Sequence, residues 1–175
     1  MHTKLDENLV THDLEGKEAL KKLKAIVRSA KSCLMLTALD HIPQTASPMY
    51  VQKVGDNASL YFLSKGDSER NLNINVDDRV SLYFQNPGKQ DYLSIFGHAV
   101  VHNDTSTIER YWSDRAGAWF NGPDDPSATV IEVKPSQTFY WSAKDGKMLQ
   151  LLKMSFAAIT GKSVQITKEK GELNA

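Results

Sequence analysis

The sequence predicts a mainly β fold with helices at its periphery, a compact barrel or sandwich and not a doubly wound parallel sheet. Two observations predict it. About six or seven short runs of aliphatic, β-branched and aromatic residues follow one another closely, most of them separated by turn chemistry. The longest helical periodicities lie near the two ends, over residues 14–31 and 147–160, so strands and helices do not alternate as a parallel α/β sheet requires.

In chain order, residues 14–31 read as an amphipathic helix, with Leu20, Leu23, Val27 and Ala30 stepping by three or four and lysines on the other faces. Residues 33–39 suit a buried strand. Residues 41–47 form a loop, and Pro48 starts or edges the next strand, residues 49–54. Gly55-Asp56-Asn57 turns the chain into a returning strand, residues 59–64. Asp67 or Ser68 caps a short helix carrying Leu72, Ile74 and Val76. Val80, Leu82 and Phe84 alternate as a strand, Asn86-Pro87-Gly88 turns, and residues 92–102 form the longest strand, with Gly97 marking a bulge or bend. Asp104 or Thr105 caps a helix with Ile108, Tyr111 and Trp112. Strands at residues 128–133 and 138–141 follow, then an apolar helix over 147–160 closed by Gly161. Residues 1–13 and 163–175 read as flexible tails on a single domain spanning 1–175.

With 175 residues, folding buries roughly 70% of the unfolded chain's surface, enough for a core without metal or disulfide staples. The 21 basic and 21 acidic residues balance, which excludes the positive surplus of a duplex nucleic-acid binder. No apolar run has the length of a membrane span, and the polar, acidic N-terminus carries no signal core, so the expected location is the cytoplasm. Lone Cys33 forms no internal disulfide and is read as a core residue.

Two apparent motifs do not hold. Thr160-Gly161-Lys162-Ser163 imitates the end of a phosphate-binding loop, but Phe156 occupies the place of the required first glycine and the segment closes a helix instead of opening one. His98 and His102 sit on one strand face about 13 Å apart, too far to share a metal ion. No metal site is expected.

Two segments carry chemistry. In residues 61–72 a strand ends in the hydroxyl of Ser64, a glycine turn follows, and a helix capped at Ser68 opens with Arg70. Hydroxyls, free helix N–H groups and a guanidinium converging on one point suit a phosphate ester; the alternative is a capped surface helix with a solvated arginine. In the second half Trp112, Trp119, Phe120, Tyr92, Tyr140 and Trp141 concentrate, two of them in the loop Ala118-Trp119-Phe120-Asn121-Gly122-Pro123. Loop aromatics suit either a planar ligand or a partner surface.

Together with Ser47-Pro48-Met49, the run 87–97, Tyr111-Trp112-Ser113, the loop 122–126, Phe139-Tyr140-Trp141 and residues 149–153, these segments resemble the FMN-binding split-barrel family related to pyridoxamine 5'-phosphate oxidase, in its general stress protein 26 branch. The resemblance runs in consistent order from about residue 15 to 162. It implies a six-stranded antiparallel split β-barrel with peripheral helices, homodimeric, with an FMN in each of two clefts between protomers. It implies that Ser47 belongs to the flavin-binding motif, and that the backbone of Met49, Tyr50, Val51 and Gln52 lies along the flavin. Phe62, Leu63 and Ser64 then flank the ring and ribityl chain, and Ser68 and Arg70 take the phosphate. The second protomer supplies Gln90 or Tyr92, and Trp119 against the ring.

The chain departs from that pattern in places. Ser47 stands where the family usually has an arginine, which leaves FMN or FAD as the flavin. Arg70 stands where lysine is common, keeping the charge and adding a bidentate fork. No arginine follows Arg115 and no histidine follows His102, against a pyridoxamine phosphate oxidase itself. The resemblance thus implies a stress-related flavin oxidoreductase acting on an unidentified small-molecule substrate or electron donor. His41 and Tyr92 are acid–base candidates by residue type alone. The alternatives are a non-catalytic flavin-binding, storage or sensing protein, and a flavin-free dimer holding another planar ligand.

Overall fold

The computed structural model describes residues 9–11, 13–143 and 168–174. Its elements in chain order are β1 (Leu9–Thr11), β2 (Leu14–Glu15), α1 (Gly16–Ala30), β3 (Ser32–Thr37), β4 (Thr45–Val54) and β5 (Leu60–Lys65). They continue as α2 (Glu69–Val76), β6 (Arg79–Asn86), β7 (Asp91–His102), α3 (Thr105–Tyr111), a 3-10 turn (Asp114–Ala118), β8 (Ala128–Ala143) and β9 (Lys168–Asn174). The strand order β8-β5-β4-β3-β6-β7 closes on itself because β7 also pairs with β8. Every pair around the ring is antiparallel, giving a closed six-stranded barrel. Closure removes the open edges an antiparallel sheet otherwise presents.

The barrel interior follows from period-two alternation. Leu60 and Phe62 on β5, Val80, Leu82 and Phe84 on β6, and Leu93 and Ile95 on β7 are all buried inward-facing residues of one core cluster. Helix α1 adds Ala19, Leu23, Ile26 and Val27 to it. A second cluster, Ile108, Ala116, Phe120, Ala128 and Val130, seats α3 and the 3-10 turn on the barrel wall. Among the described residues no helix is long and apolar enough to cross a membrane, and no three His, Cys, Asp or Glu side chains converge as a metal site.

Three expectations are corrected. The strand predicted to begin at residue 49 begins at Thr45 and carries Pro48 in its interior. Proline is tolerated because β4 pairs with β3 over Thr45–Tyr50 and with β5 only from Val51 onward, so Pro48 has a ladder neighbour on one side only. The two strands expected around Pro135 are one, β8, because a bulge opposite Phe96 and Gly97 absorbs the proline. Gly97 permits this: a Cβ there would stand 2.3 Å from the carbonyl oxygen of Lys134. Finally, residues 168–174, read as a frayed end, form β9, antiparallel to β8 and parallel to β1. Ladder hydrogen bonds order this stretch although its sequence, LysGluLysGlyGluLeuAsn, has little strand propensity. The apolar helix expected at 147–160 and the Thr160–Ser163 motif lie outside the described residues.

Candidate functional site

The hydroxyl at the end of β5 and the start of α2 meet. Ser64 is buried and its Oγ accepts a hydrogen bond from Arg70 Nε at 2.8 Å, while it donates to Asn71 Oδ1 at 2.8 Å. Ser68 Oγ lies 3.1 Å from Ser64 Oγ and 3.1 Å from the same Asn71 oxygen. The amide nitrogen of buried Asn71 donates to Thr129 Oγ1 at 2.9 Å, and Thr129 returns its proton to the carbonyl of Ser64 at 2.8 Å. Strand β8 thereby fixes the asparagine that fixes both serines. The three residues singled out in the sequence do converge.

The network also assigns them different tasks. The one proton of Ser64 is spent on Asn71, and its lone pairs face Arg70 and Ser68. Ser64 is thus a positioning residue. Ser68 is the N-cap residue of α2, yet its side chain caps no backbone N–H. The N–H groups of the first turn are left for another acceptor. Arg70 uses only Nε on Ser64 and has no carboxylate partner among the described residues. Burial pulls its guanidinium below the ordinary arginine pKa. A partly desolvated guanidinium with its terminal nitrogens unpaired is suited to an anion.

The start of β4 is tied to this cradle, since Thr45 Oγ1 donates to Glu69 Oε1 at 3.2 Å. Farther along the strand, Tyr50, Val51 and Gln52 form one wall of a cavity of about 750 Å³, with Ser113, Arg115 and Trp119 opposite. The Tyr50 and Trp119 rings are 6.4 Å apart, inclined by 36°. Ser113 Oγ donates to Gln52 Oε1 at 2.7 Å, which holds the 3-10 turn against β4. Trp119 therefore reaches β4 within its own chain. Ser47 is half-buried and paired with Met35 on β3.

The other expected residues have these surroundings. Met49 and Phe62 point into the core, because the alternation that places Tyr50 and Leu63 on the other face turns these two inward. Phe62 thus has no side-chain surface to flank a ring. Leu63 is half-buried against the second core cluster. Gln90 is exposed in the turn between β6 and β7, and Tyr92 lines a different cavity of about 580 Å³ with Leu34, Pro48, Tyr83 and Trp141. His98 and His102 bond separate carboxylates, Asp78 at 2.9 Å and Glu132 at 3.0 Å. Sequence reasoning missed Asn71 and Thr129. Asn71 was readable in principle, since it stands third in α2, where the partner residue of a capping box falls. Thr129, 65 residues from the carbonyl it bonds, carries no local signal.

A closed antiparallel barrel of six strands, matched by the solved structures below, defines a split β-barrel protein. Residues 18–165 match the family described as Pyridoxamine 5'-phosphate oxidase like, and the chain belongs to that family. It is 32% identical to general stress protein 26 of Bacillus subtilis (strain 168) over 44 residues, 25% of this chain and 31% of that protein. The curated relatives it matches are covered over 56% and 31% of their lengths. Among solved structures it superposes on a general stress protein 26 candidate from Jannaschia sp. CCS1 with a TM-score of 0.72 and 17% identity, covering 91% of this chain and 100% of the other. The general stress FMN/FAD binding protein of Xanthomonas citri matches with a TM-score of 0.64 and 21% identity, over 75% of this chain and 93% of that one.

Proposed function

We propose that this protein binds a flavin mononucleotide and acts as a flavin-dependent oxidoreductase of stress-related metabolism in the cytoplasm. The observation that carries the proposal is Arg70: a half-buried cation whose Nη groups, like the first N–H groups of α2 beside Ser68, have no partner among the described residues. A phosphate monoester satisfies all three together. The solved structure from Xanthomonas citri, described as an FMN/FAD binding protein, supports a flavin as the bearer of that phosphate.

The residues present fit the group. From Ser47 to Gln52 the strand advances about 17 Å at roughly 3.3 Å per residue, room for a ribityl phosphate and a tricyclic ring laid end to end. The phosphate belongs at Ser68 and Arg70, and the ring beside the backbone of Tyr50, Val51 and Gln52 with Trp119 near it. When bound, the flavin supplies hydride or single-electron transfer, while the protein contributes position and local electrostatics. Ser64, Asn71 and Thr129 hold Arg70 and Ser68 at the phosphate, and Tyr50 and Trp119 offer aromatic surface beside the ring. With serine at position 47, Arg70 is the cation of the cradle among the described residues, so FMN affinity is more sensitive to it than in a site with two cations.

The working unit is a homodimer. Leu34, Tyr83, Tyr92, Phe139 and Trp141 are large apolar side chains left 40–49% exposed on β3, β6, β7 and β8. An exposed aromatic face of this kind marks an interface. A second copy covering it brings Gln90 and Tyr92 toward the partner's flavin. The visible spectrum of the purified protein before and after adding FMN tests the proposal. Bound flavin with a perturbed spectrum is expected; a protein that leaves added FMN spectrally free contradicts it.

A further inference from the structure

A second cavity, of about 460 Å³, lies beside the aromatic one and shares Val51, Gln52 and Arg115 with it. Its wall holds five cations, Lys24, Arg28, Lys31, Lys53 and Arg115. Lys24 is paired with Asp56 at 2.7 Å, and Asp56 also feels Lys53. Arg28, Lys31 and Arg115 have no carboxylate partner among the described residues. Counting Asp56 and the nearby Asp114 against the five, the groove retains a surplus of three positive charges.

The backbone fixes one wall of the groove. Lys31 ends α1 in the left-handed region, φ 67°, where glycine is the comfortable residue. Its N–H bonds the carbonyl of Val27 at 2.7 Å and its own carbonyl accepts from Val51 N–H at 3.1 Å. The end of the helix is thus stitched to β4 at the point where the two cavities join. A lysine stands at a strained position that also places it on the groove wall.

We propose that this groove is a diphosphate subsite, taking the nucleoside diphosphate portion of a second ligand that lies alongside the flavin. The charge surplus matches a multiply charged anion, and the shared residues Val51, Gln52 and Arg115 join a phosphate-binding region to a ring-binding one. In one respect the inference rests on the flavin reading. The Arg70 cradle lies toward the start of β4 and the basic groove toward its end, so a flavin phosphate in the former leaves the latter to a different molecule.

Titration of the purified protein with ADP, adenosine and FMN, followed by calorimetry at low and physiological salt, tests this. ADP is expected to bind at least tenfold more tightly than adenosine, with an affinity that falls as salt rises. Lys31→Gly and Arg28→Gln are each expected to weaken ADP severalfold, and the double variant at least tenfold. Lys31→Gly is expected to keep or raise the thermal midpoint, because glycine relieves the left-handed backbone, which separates lost charge from lost folding. Arg70→Gln is expected to leave ADP binding unchanged while weakening FMN. Equal affinity for ADP and adenosine, absent ADP binding, or loss of ADP binding on Arg70→Gln alone overturns the subsite. Failure of FMN to bind while ADP behaves as stated overturns only the flavin reading.

Discussion

Arg70 Nε donates to Ser64 Oγ at 2.8 Å, joining the second residue of a helix to the last inward-facing hydroxyl of the strand before it. The bond fixes the plane of the guanidinium without neutralising it, so the charge stays available to a ligand. A carboxylate in place of Ser64 would hold the arginine as well and cancel its use for an anion.

Ser64→Ala is therefore expected to lower flavin affinity about threefold to tenfold, the worth of one side-chain hydrogen bond of about 0.5–1.5 kcal/mol. Fluorescence titration with FMN measures it. An unchanged affinity would show that Arg70 finds its orientation without Ser64.

Asn71→Ala leaves the buried hydroxyls of Ser64 and Thr129 short of partners, and removes the link from α2 to β8. The expected loss of stability is about 1–3 kcal/mol, read from the urea midpoint, together with weaker flavin binding. Asn71→Asp, which loses the donor to Thr129 and buries a carboxylate near Arg70, is expected to weaken flavin binding at least as much.

Gly97→Ala forces a methyl against the Lys134 carbonyl at the bulge, where the nearest atoms are all backbone of Lys134 and Pro135. Destabilisation of about 3 kcal/mol is expected. Gly117→Ala, where a new Cβ meets nothing within 4 Å, is the control and is expected to stay within about 0.5 kcal/mol. Thermal melts of the two variants decide the matter.

Asp104 caps α3, and the hydrogen bonds it accepts from Ser106 and the Thr107 N–H hold its carboxyl at about 2, below the ordinary 3.8. A carboxyl depressed in the folded state stabilises fully above its unfolded value and loses that contribution as pH falls toward the folded one. The melting difference between the wild type and Asp104→Ala is thus expected to be constant above about pH 5 and to shrink between about pH 4 and pH 2. A difference that does not change across that window argues that Asp104 is not the cap in solution.

Much of the fold was legible because its signals are local. Period-two alternation marked β6, the turn at Gly55-Asp56-Asn57 marked β5, a long run after Asn86-Pro87-Gly88 marked β7, and cap residues marked α2 and α3 within a residue or two. What stayed hidden depends on distant partners. Pro48 and Pro135 look like strand breakers until it is known which ladder positions lack a neighbour. The sequence of β9 has no strand character of its own and is ordered by β8 and β1. At the site, Ser64, Ser68 and Arg70 fall within one segment and could be read together. Thr129, which helps hold them, was not found because its part in the buried polar network shows only when β5 and β8 are brought side by side, whereas Asn71 had a local signal in its place in α2. For Phe62, strand parity turns the ring inward, which the resemblance alone does not tell.

The most direct test of the account is the FMN dissociation constant of the wild type beside that of Arg70→Gln, both followed by the visible absorbance of the flavin. Saturable binding by the wild type is predicted, weakened at least tenfold in the variant with the thermal midpoint of the flavin-free protein unchanged. Equal affinities in the two proteins would contradict it.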